Sequence, residues 1–141
     1  MGRTKVTVTK IDEGFAVRGE AGGFTLILDE PKSAGGEDGG MSPMQVLLCA
    51  LGACQSMVAK AYADTYGVDV SGLSIDIEGI TDPTREPRHP GLREVEYTMH
   101  FKTGADMEAL ERFSDFVEKR CTVMNSLTHE VKMIRKGIKT E

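Results

Sequence analysis

The run Ser42-Pro43-Met44-Gln45-Val46-Leu47-Leu48-Cys49-Ala50-Leu51-Gly52-Ala53-Cys54-Gln55-Ser56-Met57-Val58 specifies a long helix. Ser42 offers a side-chain oxygen as N-cap. Pro43 follows at the first helical position, where its missing N–H costs nothing and its φ is already helical. The helix is expected to run from Pro43 to about Tyr66 and to end at Gly67, a residue that tolerates the left-handed conformation of a C-terminal cap. Its side chains are apolar nearly all round, which predicts burial on most sides. No charged residue occurs between Asp38 and Lys60, a length that would also suit a bilayer. Ser42, Pro43, Gln45, Gln55 and Ser56, several glycines and the polar remainder of the chain favour a core or interface helix instead.

Upstream, Val6 to Thr9, Phe15 to Arg18 and Phe24 to Asp29 carry β-branched and aromatic residues, separated by the turn compositions Asp12-Glu13-Gly14 and Gly19 to Gly23. They predict an antiparallel meander of three short strands. Residues 31 to 40 can bury almost nothing and are expected to form a flexible surface connection. Downstream, Leu73 to Glu78 and Leu92 to Thr103 alternate with period two and flank a loop holding Pro83, Pro87 and Pro90, which predicts a long hairpin. Asp106 can cap a second, amphipathic helix in which Met107, Leu110, Phe113, Phe116 and Val117 recur at helical spacing and Lys119 and Arg120 stand at the C-terminal end. Cys121, a helical turn or two from Thr122 to Thr128, and a final strand around Val131 to Ile134 complete the chain. Segregated strands and helices without βαβ crossovers give an α+β class, in one domain over residues 1–141.

The chain of 141 residues is 40% hydrophobic and 28% charged, an ordinary globular balance. Its net charge of −5, with scattered acidic groups, leaves no basic footprint for a nucleic-acid backbone. The N-terminus lacks the pattern of a signal peptide, so a cytoplasmic location is expected. A helix apolar on all sides exceeds what one sheet can cover, and a homodimer with this helix near its middle is the simplest solution.

Three cysteines and no secretory signal suggest a chemical use for thiols. None is spaced Cys-x-x-Cys, and His89, His100 and His129 lack the paired spacing of a zinc site. Cys54 sits among Gly52, Ala53 and Ser56, small residues that leave volume beside its sulfur. From position alone it is either a packed small hydrophobe or a reactive thiol, and Cys49 fits the first description better. Cys121, between two helices and next to Lys119 and Arg120, is expected to favour the thiolate. If Cys54 and Cys121 meet, they have the logic of a peroxidatic and a resolving thiol.

The run Ser42 to Cys54, together with Arg120-Cys121-Thr122-Val123-Met124-Asn125-Ser126-Leu127, resembles the two cysteine motifs of the OsmC/Ohr superfamily, the osmotically inducible and organic hydroperoxide resistance proteins. The resemblance extends over nearly the whole chain. It implies antiparallel sheets around long central helices in an intertwined homodimer, with Cys54 peroxidatic and Cys121 resolving. It further implies reduction of organic hydroperoxides, recycling by a dithiol such as a lipoylated protein, and no metal or other cofactor.

Two features depart from the family pattern. Family peroxidases place a glutamate just after the helix-starting proline, where this chain has Met44-Gln45. Gln45 can hydrogen-bond but carries no charge. The arginine that this glutamate orients has Arg18 as its candidate here, with Lys32 as a weaker substitute, and Arg18 and Gln45 are the expected thiolate-stabilising residues. Thr122 stands where many relatives have proline. A thiol peroxidase is therefore the first expectation. The alternatives are a non-enzymatic dimer that binds an apolar small molecule or partner, and a metal-binding regulator in which Cys54, Cys121 and a histidine converge.

Overall fold

The N-terminal segment folds as the expected meander in the computed structural model of the protein, which describes residues 1–140. Strands β1 (Thr7–Lys10), β2 (Val17–Ala21) and β3 (Phe24–Leu28) form an antiparallel sheet in that order. Ala21 pairs with Phe24, which leaves Gly22 and Gly23 as a two-residue turn with φ of 57° and 82°. A hairpin turn with both central φ values positive matches the twist of the flanking strands and selects glycine. Strand β2 therefore continues through Gly19, past the point where composition placed a turn.

The connection over residues 31 to 40 is not the flexible segment its composition suggested. Asp29 is buried, and its carboxylate accepts hydrogen bonds from the backbone N–H groups of Glu30 (2.8 Å), Glu37 (3.2 Å) and Gly39 (3.0 Å). A Cβ on Gly36 would lie 1.9 Å from the Glu30 carbonyl oxygen, so the chain folds back at a distance only glycine allows. Lys32 lies in a short 3-10 turn, Lys32–Ala34, inside this loop.

Helix α1 spans Pro43–Tyr66, and Gly67 follows it with φ of 65°. The chain falls into two compact units, residues 1–49 and the remainder, and α1 begins in the first and continues into the second. Only Leu51, Gln55, Ala59 and Ala63 of α1 are buried, one stripe at four-residue spacing. The expectation of burial on most sides is thus corrected for the single chain: Met57 is 72% exposed, and Met44 and Leu47 are also exposed. By length and composition alone α1 is apolar enough to cross a membrane, a property it shares with core helices of soluble proteins.

In the second unit β4 (Ser74–Thr81) and β5 (Leu92–His100) form the predicted antiparallel hairpin, with Ile77 opposite Tyr97. A Cβ on Gly52 would lie 2.9 Å from Ile77 Cδ1, so glycine permits the close approach of α1 to this hairpin. Helix α2 (Met107–Arg120) starts at Asp106, whose carboxylate accepts from the Ala109 N–H at 2.8 Å. The α1 stripe meets α2 in a core of Ala59, Val68, Phe113 and Val117, bordered by Tyr62, Tyr66 and Phe101. Ring contacts of Tyr66 with Phe113 (5.4 Å) and Tyr62 with Phe116 (4.7 Å) set α1 and α2 antiparallel. Helix α3 (Thr122–Thr128) follows after one extended residue, Cys121. The strand expected around Val131 to Ile134 is absent. A strand needs a ladder partner, and here Val131, Met133 and Ile134 stand exposed in irregular chain.

Candidate active site

A single break in the helical path builds the site. At Cys121 the backbone leaves the helical region (φ −70°, ψ 112°) while its N–H still donates to the Val117 carbonyl at 3.0 Å. The chain then re-enters a helix. The Asn125 side-chain amide donates to the Lys119 and Cys121 carbonyls (3.2 and 2.8 Å) and fixes the bend. Free N–H groups at the start of α3 are thereby turned toward the sulfur atoms, as at any helix beginning. The Met124 N–H donates to Cys121 Sγ at 3.4 Å.

Cys54 and Cys121 come together here. Cys121 is fully buried and Cys54 is half-buried, and each thiol is among the groups that shift the other's pKa. Cys54 Sγ also lies 3.6 Å from the Thr122 hydroxyl. Burial pushes the Cys54 thiol up. Hydrogen bonds from the Val123 N–H, the Thr122 hydroxyl, the Cys121 thiol and the Thr122 N–H outweigh it and hold Cys54 below the ordinary thiol range. Cys121 moves the other way. Its burial raises it, and the hydrogen bond with Cys54 and the charge on that sulfur add to the effect, against the Met124 and Val123 N–H groups. The expectation that Lys119 and Arg120 favour the thiolate at Cys121 is corrected: the Arg120 guanidinium stacks over Phe116 and Tyr62 at 5.3 and 5.7 Å, and Cys121 is pushed above the ordinary thiol range.

A cleft of about 380 Å³ is lined mainly by Leu51, Leu92, Val95, Tyr97, Met124 and Leu127; neither cysteine lines it, but neighbours of both do. Leu51 is one turn before Cys54 on α1, and Met124 is the residue whose N–H meets Cys121. The Tyr97 hydroxyl donates to Glu118 Oε1 at 2.6 Å, and burial together with that carboxylate raises the phenol above its ordinary range. Arg93 at the rim donates to the carbonyls of Asp82, Arg85 and Pro87 and ties down the proline-rich loop.

The other expected residues lie in the first unit. Arg18 pairs with Glu20 on its own strand, Nε to Oε1 2.7 Å. Gln45 closes a reciprocal cap: the Ser42 N–H donates to Gln45 Oε1 (2.9 Å) and the Gln45 N–H to Ser42 Oγ (3.3 Å). Cys49 is exposed. Among the described residues no three His, Cys, Asp or Glu side chains converge on a metal position, as the metal-binding alternative required. The contributions of Thr122, Asn125 and Tyr97 escaped sequence reasoning. Asn125 and Thr122 stand in the quoted motif, but the bonds they make need the bend at Cys121 to be known.

The sequence profile of the family described as OsmC-like protein matches residues 35–135. A hydroperoxide reductase of Mycoplasma genitalium is 26% identical over 118 residues, covering 83% of this chain and 82% of the relative. A hydroperoxide reductase of Mycoplasma pneumoniae is 27% identical over 88 residues, 62% of each chain. Among solved structures, an OsmC-like protein from Mycoplasma pneumoniae superposes with a TM-score of 0.81 at 24% identity, over 90% of this chain and 88% of that one. The α+β architecture of two antiparallel sheets and three α-helices matches that structure. The match over most of the chain, on a fold with the same architecture, makes this protein a member of the OsmC-like family.

Proposed function

We propose that the protein is a thiol peroxidase that reduces organic hydroperoxides through Cys54 and Cys121. The observation that carries this reading is the unequal thiol pair: a half-buried Cys54, 3.6 Å from the Thr122 hydroxyl and held below the ordinary thiol range, and a wholly buried Cys121 pushed above it. The Cys54 thiolate attacks the outer oxygen of the hydroperoxide, the O–O bond breaks, and the alkoxide takes a proton and leaves as an alcohol. Cys54 is then a sulfenic acid. The Cys121 sulfur displaces its hydroxyl, which departs as water, and a disulfide remains. A dithiol, such as a lipoylated protein, returns both cysteines to thiols by exchange. The apolar cleft favours alkyl hydroperoxides over hydrogen peroxide. The names of the two Mycoplasma relatives support the same reaction class.

Arg18 and Gln45 remain the proposed thiolate-stabilising residues from the first unit, and each already holds another partner, Glu20 and Ser42. Those attachments favour, as the second reading, a dimer that binds an apolar molecule without turnover. We assign the cytoplasm as location, and a second copy of the chain as the cover for the exposed apolar side chains of α1.

Cumene hydroperoxide consumption with excess dithiol separates the two readings. The peroxidase reading expects saturable turnover that Cys54→Ser abolishes. Consumption no faster than that of the dithiol alone overturns it.

A further inference from the structure

Gln55 is wholly buried, and neither its Nε2 nor its Oε1 has a hydrogen-bond partner. Native interiors rarely leave such a group unpaired, and those that exist call for an explanation, catalytic roles among them. Its place in the packing supplies one. Helices α1 and α2 run antiparallel, and Ala59 of α1 and Val117 of α2 belong to the same buried core cluster. Gln55 is one turn before Ala59 on the buried stripe, and Cys121, also wholly buried, is one turn after Val117. The register therefore sets the amide at the level of the resolving sulfur, and the 3.6 Å approach of Cys54 Sγ, on the residue next to Gln55, to the hydroxyl of Thr122, the residue next to Cys121, fixes the same level independently.

In the reduced protein Cys54 is pushed below and Cys121 above the ordinary thiol range. Once Cys54 is oxidised, its sulfenic sulfur is the electrophile and Cys121 becomes the nucleophile. Charge then develops on a sulfur closed off from water, which accepts a hydrogen bond from the Met124 N–H at 3.4 Å. We infer that Gln55 is a catalytic donor of the resolving step: its Nε2–H, unpaired in the reduced state, bonds to the Cys121 sulfur as that sulfur attacks Cys54. The thiol proton of Cys121 leaves with the displaced hydroxyl as water. This inference rests on the thiol-peroxidase reading for its physiological oxidant, but the closure of the disulfide can be tested without it.

In a Cys49→Ser background, dithiodipyridine forms a mixed disulfide on Cys54 and releases one thiopyridone; attack by Cys121 then releases a second. Gln55→Leu and Gln55→Met are expected to leave the first phase intact and to slow the second by about tenfold or more, the scale of a lost hydrogen bond to a charged group, with no fall in Tm. A second phase within about twofold of the parent rate overturns the inference. If the apolar variants lose their helical signal, Gln55→Glu keeps the shape of the side chain. Its carboxylate beside the charging sulfur should slow closure at neutral pH, and an unchanged rate there again overturns it. Substituting an alkyl hydroperoxide for dithiodipyridine judges the peroxidase reading separately: no first phase with the peroxide, alongside a normal one with dithiodipyridine, defeats that reading and leaves the Gln55 result standing.

Discussion

The Thr122 hydroxyl lies 3.6 Å from Cys54 Sγ, although 68 residues separate the two in the chain. Together with the N–H groups of Val123 and Thr122 and the Cys121 thiol, it offsets the burial that would otherwise keep Cys54 protonated. Thr122→Val removes the hydroxyl at nearly constant volume. The Cys54 pKa should rise and its alkylation by iodoacetamide at neutral pH should slow by about three- to tenfold, the scale of one hydrogen bond to a charged group. The wild-type rate should fall as pH drops through a midpoint below the ordinary thiol value of 9.0, and the variant's midpoint should move toward it. The pH dependence of alkylation in the Cys49→Ser background measures both.

The core in the second unit depends on a few large side chains. Phe113 is completely buried and contacts the rings of Tyr66 and Phe101. Phe113→Ala should destabilise the protein by about 3–5 kcal/mol, the usual cost of removing a buried aromatic side chain. Urea unfolding followed by circular dichroism reads the change in midpoint.

Asp29 orders the glycine-rich loop in the first unit. Three backbone N–H groups, that of Gly39 foremost, hold its carboxyl below 3.8 against a smaller opposing effect of burial. A group whose folded pKa is depressed stabilises the fold above its unfolded value, and the contribution disappears as pH falls through the folded one. Amide exchange at Glu37 and Gly39 should therefore be slow above about pH 4 and lose its protection below the lowered value. Asp29→Ala should abolish the protection at every pH, with little change at Phe113.

Met57 is 72% exposed on α1, in a helix whose buried stripe faces elsewhere. With a second copy covering it, Met57→Glu would bury a charge at the contact and weaken association by about 2 kcal/mol or more. Light scattering should find a dimer for the wild type and a shift toward monomer at low concentration for the variant.

Much of this architecture was legible in local pattern. Ser42 and Pro43 start α1 and Gly67 ends it, as backbone chemistry requires, and the alternation through Ile75, Ile77, Val95 and Tyr97 gave the hairpin. Asp106 and the two bounds of α3 were equally local. What escaped depends on distant partners. The loop after β3 looked flexible because the order comes from one carboxylate reaching eight and ten residues ahead. Lys119 and Arg120, neighbours in sequence, looked to favour the thiolate at Cys121, whereas burial and Cys54 push it above the ordinary thiol range. Gln45 is different: the Ser42-x-x-Gln45 spacing carried the capping signal in the sequence itself. The segment Val131 to Ile134 alternates like a strand but has no ladder partner in the single chain.

The proposed reaction requires Cys54 and Cys121 to act as one redox pair. Intact-mass analysis with peptide mapping, after one equivalent of alkyl hydroperoxide is added to the reduced protein, tests it most directly. The predicted product lacks two hydrogens and links the Cys54 and Cys121 peptides, and Cys121→Ser instead accumulates a trappable sulfenic acid at Cys54. Unaltered thiols at both positions, or a disulfide that joins Cys49 instead, would contradict it.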